Sequence, residues 1–408
     1  FLIAVSTYAN SLDSVMVGPG VIRYHHIIDS GPWNINIVKI EIGNPWLKFQ
    51  SVKAGNKLMA FEKTSSMATR NNYEEHKVVA AINGDFYNTS TGEQIGSQVA
   101  NGQLLKATND WLNVAFDVDK NPIMGMQNFS GVIINDDSIK SVSGVNKVRN
   151  TNELILYNSF YGTSTSTNQY GTEVRIIPID NWLVNDTIRC LVDTVVTGIG
   201  NMIIGNNKAV LSGHGISSAF LVNNFFKNDT IKIVLNLTPA LLKLEQLIGG
   251  NTWLVQNGIV NSDNGDRHPR TSVGFNADTT EFFMFVVDGR QPGLSVGMSY
   301  KELGDYMKTW GVHNGLNLDG GGSSTMVVRS SIVNSPSDIG GERSVANSLL
   351  LISTAPTGPL EYIRINPNEV YTLGGSNVNF SASGFDQYYN PVNIASGSLV
   401  WSCDPAIG

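Results

Sequence analysis

The residues with the clearest potential for chemistry form a glycine-rich loop near residue 320. The run reads Asn317-Leu318-Asp319-Gly320-Gly321-Gly322-Ser323-Ser324. Three successive glycines leave backbone N–H groups open to an approaching anion, and the small residues after them permit a cradle for it. One glycine would suffice for a tight turn between a helix and a strand, so the run favours a functional loop. It is neither a Walker loop nor a nucleophile elbow, because no lysine follows the glycines and neither serine lies in a Gly-x-Ser-x-Gly frame.

A second candidate is the run Arg267-His268-Pro269-Arg270. Two guanidinium groups beside an imidazole can hold a phosphate through paired hydrogen bonds and supply a proton donor. The alternative is a solvated loop that carries these charges by chance. The preceding run, Asn261-Ser262-Asp263-Asn264-Gly265-Asp266, is superficially similar to a calcium loop. It lacks the glutamate that an EF-hand needs at its twelfth position, so we predict a turn there.

Three further motifs carry polar groups close to predicted strands. Asn83-Gly84-Asp85-Phe86-Tyr87 could bind sugar hydroxyls and stack on a sugar ring, although an Asx turn is the alternative. Glu173 begins a strand after a loose loop, and a surface pair with Arg175 is the alternative there. In Asp288-Gly289-Arg290-Gln291, the arginine could orient the aspartate.

Composition restricts the classes of partner. The 408 residues are 41% hydrophobic and only 15% charged, which is enough for a large core. The net charge is −7 and no long Lys/Arg run occurs, which disfavours nucleic acid and anionic membrane surfaces as partners. Two distant cysteines, Cys190 and Cys403, offer neither a disulfide framework nor a cysteine-based zinc site. The opening run Phe1-Leu2-Ile3-Ala4-Val5 is too short for a membrane span, and we expect a first strand there, with a signal remnant as the alternative.

Hydrophobic patterns place these motifs on secondary structure. Alternation over 33–40 predicts a half-buried strand, and continuous apolar runs at 78–82 and 282–287 predict buried strands. A Ser/Thr/Asn-rich stretch at 158–172 predicts a loop. Helices are predicted over 60–76, 239–247 and 299–311, the last with Ser299 as its N-cap and Glu302 three residues later.

The pattern as a whole predicts an α+β (mixed α/β) fold, in which a few helices pack on β-rich sheets. A Pro/Gly/Thr-rich linker at 353–359 separates a catalytic domain, 1–355, from a second module, 356–408. Short alternating strands in the second module are typical of an immunoglobulin-like β-sandwich. Its length is about half of the ~100 residues of such a domain, so we expect a partial, truncated sandwich.

Taken in order, these motifs resemble the phosphodiester glycosidase family. The resemblance covers most of residues 18–352 and includes pieces at 18–21, 80–86, 171–174, 268–274, 287–291 and 317–326, whose order is more specific than any single piece. It implies hydrolysis at the anomeric carbon of a sugar-1-phosphodiester. Tyr87 stands where such proteins often carry a Phe-type residue, and the cysteine-rich region of the animal enzyme is absent. The second departure fits a bacterial, extracytoplasmic role (periplasmic, cell-surface or secreted) better than a lysosomal one.

The chemistry of such a substrate suggests roles for the candidate residues. A phosphate monoester is already a good leaving group, so its developing charge can be met by His268, Arg270 and the backbone of Gly320 to Gly322. A carboxylate must then activate water or attack the anomeric carbon, for which Asp319 is the first candidate and Glu173 the second. The remaining candidates are predicted to contact the substrate: Asn83, Asp85, Asp288, Arg290, Ser323 and Ser324.

Two other functions remain open at this point. The chain could be an envelope protein that binds phosphorylated glycans without cleaving them, or a metal-dependent phosphodiesterase that breaks a P–O bond. Six scattered histidines supply few metal ligands, so we expect no metal and no other cofactor. The enzymatic hypothesis requires the loops around residues 83, 173, 270 and 319 to surround one pocket for a sugar and an anion.

Overall fold

The computed structural model describes residues 10–239, 242–368, 370 and 376–403 of the chain. Strands make up 46% of the structure and helices 8%, with three α-helices among the described residues. The predicted α+β (mixed α/β) class was therefore wrong, because the fold is mostly β. The apolar strands that suggested helical cover are covered largely by other sheets instead.

Four large sheets form the structure, and we number them I to IV. Sheets I and IV have eight strands each, and sheets II and III have five. Within sheets I, II and III every pairing between neighbouring strands is antiparallel. The strand order of sheet I is Ser11–Gly18, Val21–Ile28, Trp33–Glu41, Glu281–Val287, Arg270–Phe275, Asn314–Asn317, Thr252–Gln256 and Ile259–Val260. The order of sheet II is Ser331–Ile332, Met326–Val328, Lys77–Asn83, Asn347–Ser353 and Leu47–Lys53.

Sheets III and IV complete the body of the molecule. The order of sheet III is Pro122–Met126, Leu112–Asp117, Leu244–Gly249, Gln98–Ala100 and Gln103–Lys106. The order of sheet IV is Ser138–Val142, Asn128–Asn135, Thr230–Thr238, Thr187–Thr197, Thr172–Pro178, Ala209–Gly213, Leu154–Asn158 and Gly144–Val145. A two-stranded pairing joins Ser344–Val345 to Glu62–Lys63.

The helices agree only in part with the sequence patterns. The α-helices are Thr64–Arg70, Ile216–Asn224 and Tyr300–Thr309, and short 3-10 turns occur at Ala54–Asn56 and Gly321–Ser323. The cap at Ser299 is confirmed, because its hydroxyl accepts from the Glu302 N–H while the Glu302 carboxylate accepts from the Ser299 N–H. The helix predicted at 239–247 was wrong, since Leu244–Gly249 is a strand whose apolar side chains pair into sheet III. Residues 240–241, and the strand expected at 1–5, lie outside the described residues.

The predicted buried strands are confirmed at Lys77–Asn83 and Glu281–Val287. The strand Trp33–Glu41 was predicted to be half-buried, but its centre is buried on both faces. One face packs into the main core, and the other, through Ile35 and Ile37, packs with residues of the helix Tyr300–Thr309. The polar residues in its alternating sequence include the buried Asn34 and Asn36, which form hydrogen bonds with Asp288 and Arg23, respectively.

Three phenylalanines join three of the sheets. Phe49 of sheet II stacks on Phe116 of sheet III, with ring centroids 3.9 Å apart and planes 12° apart. Phe282 of sheet I meets both rings edge-on, at 4.9 and 5.1 Å. All three side chains are buried. The triad is thus the point where the sheets that carry the glycine-rich loop share one core.

The last three strands, Tyr362–Asn366, Ser381–Phe385 and Pro391–Val392, pair only with one another in the described part of the chain. Hydrogen bonds connect them to the body, from Arg364 to the Met16 carbonyl and from Arg329 to the Tyr389 carbonyl. The boundary near residue 355 and the partial sandwich remain predictions. No helix in the described ranges is long and apolar enough to cross a bilayer.

We predict that Phe116→Ala lowers the free energy of unfolding by about 3–5 kcal/mol, because it opens a cavity between three sheets. Guanidinium chloride denaturation followed by tryptophan fluorescence measures this change. Phe226→Ala is the matched control, since that ring is 61% exposed. Equal losses in the two variants would contradict the role given to the triad.

Candidate functional site

The glycine-rich loop connects sheet I to sheet II. It leaves the strand Asn314–Asn317, makes the 3-10 turn Gly321–Ser323 and enters the strand Met326–Val328. The Asp319 N–H donates to the Gly84 carbonyl at 2.9 Å. The loop therefore lies directly against the end of Lys77–Asn83, the strand that carries the Asn-Gly-Asp motif.

The buried amide of Asn83 fixes the position of this loop. Its Nδ2 donates to the Asp319 carbonyl at 2.7 Å, and its Oδ1 accepts from the Thr271 hydroxyl at 2.7 Å and the Thr325 N–H at 3.1 Å. These bonds bring together the strand end at 83, the strand that begins at Arg270, and the glycine-rich loop. Asn83, a predicted substrate contact, is thus directed at the protein and positions the groups around it.

Asp319 carries the carboxylate of the site. Burial raises its pKa to about 6, although nearby Ser323, the Gly320 N–H and the Arg343 guanidinium oppose that rise. The Gly320 N–H donates to its Oδ1 at 2.9 Å. The residue still keeps some exposure to solvent. At neutral pH the ionised form predominates, so the loop presents a partly desolvated carboxylate.

The glycines do not all present free N–H groups, as the sequence had suggested. The Gly321 N–H donates to the Pro269 carbonyl at 2.9 Å, and the Gly320 N–H is taken by Asp319. The Gly322 N–H makes no backbone hydrogen bond within the described ranges. Only this last donor is therefore available to an anion.

Two guanidinium groups approach two successive glycines. An added Cβ at Gly321 would lie 3.1 Å from Arg290 Nη1, and one at Gly322 would lie 2.2 Å from Arg343 Nη2. Gly321 also has a φ of +62°, which side chains rarely adopt. The glycines are therefore needed because any side chain would displace the arginines.

His268 lies beside Arg290. The Arg290 Nη2 atom is 3.3 Å from His268 Nδ1. Since a guanidinium only donates, Nδ1 must accept, and the proton of the neutral ring is then on Nε2. Burial lowers the pKa of His268, and the charges of Arg270 and Arg290 lower it further. The imidazole is therefore a neutral N–H donor at neutral pH.

Arg270 does not join this group through its guanidinium. Its Nε donates to the Met298 carbonyl at 3.0 Å and its Nη2 to the Asp266 carbonyl at 3.1 Å, and the group lies over the Tyr300 ring at 4.2 Å. The arginine was predicted to hold a phosphate beside His268. In the structure, the Arg270 side chain instead connects its own loop to the residues around the start of the helix Tyr300–Thr309.

Asp85 and Asp288, both predicted to contact substrate, are buried and bound by the protein. Asp85 accepts from the Gly96 N–H at 2.6 Å and from Trp111 Nε1 at 3.2 Å, and burial raises its pKa to about 7. Asp288 accepts from Asn34 Nδ2 at 2.9 Å among other donors, and burial raises its pKa to about 6. These contacts hold the neighbouring loops in place.

Glu173 lies in sheet IV with partners of its own. Its carboxylate accepts from the hydroxyls of Thr167 and Ser212, each at 2.9 Å, and from the Met202 N–H at 2.8 Å. Within the described ranges no contact connects it to Asp319. The structure thus brings together three of the four predicted loops, those at 83, 270 and 319.

Sequence reasoning missed two residues beside the glycine-rich loop, Arg343 and Asp338, whereas it had proposed the motif that contains Tyr87 for stacking on a sugar ring. Arg343 and Asp319 both affect the pKa of the Tyr87 phenol, which donates to the Ser344 carbonyl at 3.2 Å. The signal was present in the run Gly340-Gly341-Glu342-Arg343, because it leads into the buried strand Asn347–Ser353.

Three consecutive buried hydroxyls follow the glycines. Ser323 lies close enough to lower the pKa of both Asp319 and Tyr87, but its hydroxyl makes no hydrogen bond of normal geometry. The hydroxyls of Ser324 and Thr325 also have no partner in the described part of the chain. Buried polar atoms without partners are rare in folded proteins, so this loop retains hydrogen-bonding capacity for water or a ligand. No group of three or more His, Cys, Asp or Glu side chains in the described ranges could hold a metal ion.

We predict that Asp85 makes stability depend on pH. Burial raises its pKa from 3.8 to about 7, so the folded chain keeps a proton that the unfolded chain loses. Its contribution is complete at low pH and decreases as pH rises through about 4 to 7, by at most about 1.4 kcal/mol per pH unit. In Asp85→Asn the free energy of unfolding should therefore fall less between about pH 5 and pH 8 than in wild type.

Urea denaturation at several pH values measures that slope. The absolute stability of Asp85→Asn also falls, because the new amide nitrogen faces an N–H donor, so the slope is the informative quantity. The exposed Asp137 supplies the control variant Asp137→Asn, with an unchanged slope. An unchanged slope in Asp85→Asn would show that this carboxyl ionises as an exposed one does.

Comparison with known proteins shows a match to one protein family. A model of the phosphodiester glycosidase family matches residues 184–352, a range that contains His268, Arg290, Asp319 and Arg343. No curated protein matches the chain significantly.

The solved structures that are similar to the chain include the following three. A hypothetical protein from Synechocystis has a TM-score of 0.62 and 15% identity, over 85% of this chain and 64% of its own, so this chain spans less than two thirds of that protein. A Burkholderia pseudomallei protein that carries the name of an exported protein has a TM-score of 0.56 and 23% identity, over 79% of this chain and 74% of its own. These two likenesses show a shared fold.

The zebrafish N-acetylglucosamine-1-phosphodiester alpha-N-acetylglucosaminidase catalytic domain, auto-inhibited by its pro-peptide, is the third. Its identity is 17%, with 85% of each chain covered, and its TM-score of 0.40 is too low to support an argument. The family match agrees with the resemblance that the order of the motifs indicated. The chain is therefore similar to the phosphodiester glycosidase family over residues 184–352.

Proposed function

We propose that this chain hydrolyses the glycosidic bond of a sugar-1-phosphodiester and releases a sugar and a phosphate monoester. The observation that carries the proposal is the grouping of one partly desolvated carboxylate, Asp319, with Arg290 and neutral His268 at a glycine-rich loop. The match of residues 184–352 to the phosphodiester glycosidase family supports it.

The cationic side of the site suits the leaving group. As the bond to the anomeric carbon breaks, negative charge develops on the phosphate oxygens. Arg290 can meet that charge bidentately, while His268 offers an Nε2–H donor and Gly322 a backbone N–H. A phosphate monoester leaves without prior protonation, so fixed donors of this kind are sufficient.

Asp319 supplies the carboxylate that the anomeric carbon requires. Ionised at neutral pH, it can either activate a water molecule or attack the carbon directly. Glu173, the second candidate, is bound to residues of sheet IV and makes no contact with this group. We therefore assign the reaction to Asp319 and omit Glu173 from it.

The aromatic side of the site suits the sugar. Phe61 and Tyr87 meet edge-on with ring centroids 5.8 Å apart, and 43% of the Phe61 side chain is exposed. Because Tyr87 also lies near Asp319, a sugar ring stacked on Phe61 would bring its anomeric carbon toward the carboxylate. The shared fold with an exported protein supports an extracytoplasmic location for this reaction.

We expect Asp319→Asn to lower kcat on sugar-1-phosphodiesters by about 10²–10⁴-fold, because the amide can neither accept a proton nor attack carbon. Hydrolysis in ¹⁸O-labelled water, with products identified by mass spectrometry, shows which bond breaks. The proposal requires the label in the released sugar. Label in the phosphate would instead indicate a phosphodiesterase, and binding without any product would indicate a glycan-binding protein.

Substitution of the cations tests the other half of the site. Arg290→Ala should reduce kcat by about a hundredfold or more, since it removes a preorganised donor to the leaving group. The matched control is Arg189→Ala, which removes an exposed arginine of sheet IV and should retain wild-type turnover. Equal rates for Arg290→Ala and Arg189→Ala would exclude Arg290 from the reaction.

The pH dependence of kcat/KM should show a rising limb near pH 6. Burial raises the pKa of Asp319 to about 6, and only the ionised form is reactive, so activity falls about tenfold per pH unit below that value. His268→Gln should lower the rate but keep the limb, because Asp319 produces it. Loss of the limb in His268→Gln would assign it to the imidazole instead.

A further inference from the structure

A segment not used in the reaction above crosses the glycine-rich loop. Residues 334–343, which we call the strap, lead from the strand Ser331–Ile332 to the strand Ser344–Val345 and contain no helix or strand. In the middle, Ile339 and Gly340 are exposed to solvent. The strap is therefore a surface segment whose ends are fixed by regular structure.

Buried groups hold the first end of the strap. Asn334 Nδ2 donates to Asp288 Oδ1 at 2.9 Å and to the Ser324 carbonyl at 3.1 Å. Ser335 N–H donates to the same carboxylate at 2.9 Å, and the Ser335 hydroxyl donates to Gln291 Oε1 at 2.8 Å. The buried carboxylate of Asp288 thus has a function in anchoring the strap.

The second end is held by Glu342, whose carboxylate accepts from the Ser65 N–H at 2.8 Å and from the Ser65 hydroxyl. Between the two anchors, Asp338 forms a bidentate pair with Arg343, with Nε–Oδ2 at 2.7 Å and Nη2–Oδ1 at 2.9 Å. This pair lies directly over Gly322, where an added Cβ would be 2.0 Å from Asp338 Oδ1 and 2.2 Å from Arg343 Nη2.

We propose that Asp338 occupies on Arg343 the place of the substrate's phosphate, and that Arg343 is the cation that selects a phosphodiester once that phosphate displaces Asp338. The inference rests on the proposed function. A carboxylate and a phosphate present the same pair of oxygens to a guanidinium, so one can replace the other on Arg343. Two further groups of the glycine-rich loop could bind the same phosphate. In the described part of the chain, the Gly322 N–H has no backbone partner and the Ser324 hydroxyl has no partner.

The ion pair between Asp338 and Arg343 is accessible to an incoming anion. The side chains of Arg343 and Asp338 are 41% and 33% exposed, so solvent can hydrate both charged groups when the pair opens. Asp338 can therefore leave Arg343 while the anchors at Asp288 and Glu342 keep the strap attached. Arg343 also affects the pKa of Asp319, so the charge released by Asp338 lies within reach of the reacting carboxylate.

Calorimetric titration with inorganic phosphate and with α-glucose 1-phosphate tests the proposal. Asp338→Asn should bind both anions about two- to five-fold more tightly than wild type, because it removes a competing carboxylate. Arg343→Ala should bind them more weakly. Asp180→Asn is the matched control with unchanged affinity, since Asp180 forms a bidentate exposed pair with Arg189 of sheet IV, and their side chains are 32% and 56% exposed, respectively.

Equal or weaker binding by Asp338→Asn would overturn the proposal, because Asp338 would then position Arg343 instead of competing for it. KM for a sugar phosphodiester should fall in the same variant. A wild-type protein that binds these anions as expected but hydrolyses no sugar phosphodiester would refute the proposed function and leave the strap assignment standing. Turnover with anion affinity insensitive to Asp338 would refute the strap assignment alone.

Discussion

The arrangement depends on a single buried amide. Asn83 makes three hydrogen bonds that join the glycine-rich loop, the strand after His268 and the end of its own strand. These bonds fix the Asp319 carbonyl, the Thr271 hydroxyl and the Thr325 N–H. Because a buried amide cannot lose its partners without a large desolvation cost, the loop has one stable position. The carboxylate of Asp319 then lies in a defined place relative to the arginines.

Several carboxyl groups in and around the candidate site are buried, which disfavours their charged forms. Burial raises the pKa of Asp85, Asp288 and Asp319 alike, but their environments give them different roles. The first two carboxylates are used by donors from the protein, and they hold loops. Asp319 keeps partial exposure and lies within electrostatic reach of Arg343, and we propose it as the reactive carboxylate. One physical effect therefore acts on two supporting carboxylates and on the carboxylate that we propose to be reactive.

Glycine has a similarly specific function in the loop. Gly321 and Gly322 do not act mainly by exposing their N–H groups. They allow Arg290 and Arg343 to lie against the backbone, where a side chain would collide with them. In the proposed reaction, these two side chains would bring positive charge to the phosphate of the substrate, and the Gly322 N–H would add one backbone donor. This arrangement differs from a purely backbone cradle.

Much of the candidate site could be predicted from the sequence because each motif lies at one end of a recognisable strand. Asp319, His268 and Arg290 were proposed in this way, and the buried strand that ends at Asn83 was predicted correctly. The direction of each side chain could not be predicted. Arg267, His268 and Arg270 are near neighbours, but Arg267 pairs with Glu302 and Arg270 turns toward Met298, so only His268 meets Arg290.

The fold class and the missed residues have related physical causes. A continuous apolar strand looks the same whether a helix or another sheet covers it, so the sequence patterns overstated helical cover. Leu244–Gly249 shows this directly, since its apolar run was predicted to be helical and instead pairs in sheet III. Arg343 was missed because only tertiary contacts bring its loop to Gly322.

The most direct test of the central claim is a crystal structure with a non-hydrolysable sugar phosphonate, in which carbon replaces the glycosidic oxygen. The account predicts that the phosphonate contacts Arg290, His268 and the Gly322 N–H, with the anomeric carbon facing Asp319. A phosphonate bound against Arg270 or Glu173, or in the groove beside Trp182 and Glu245, would contradict it.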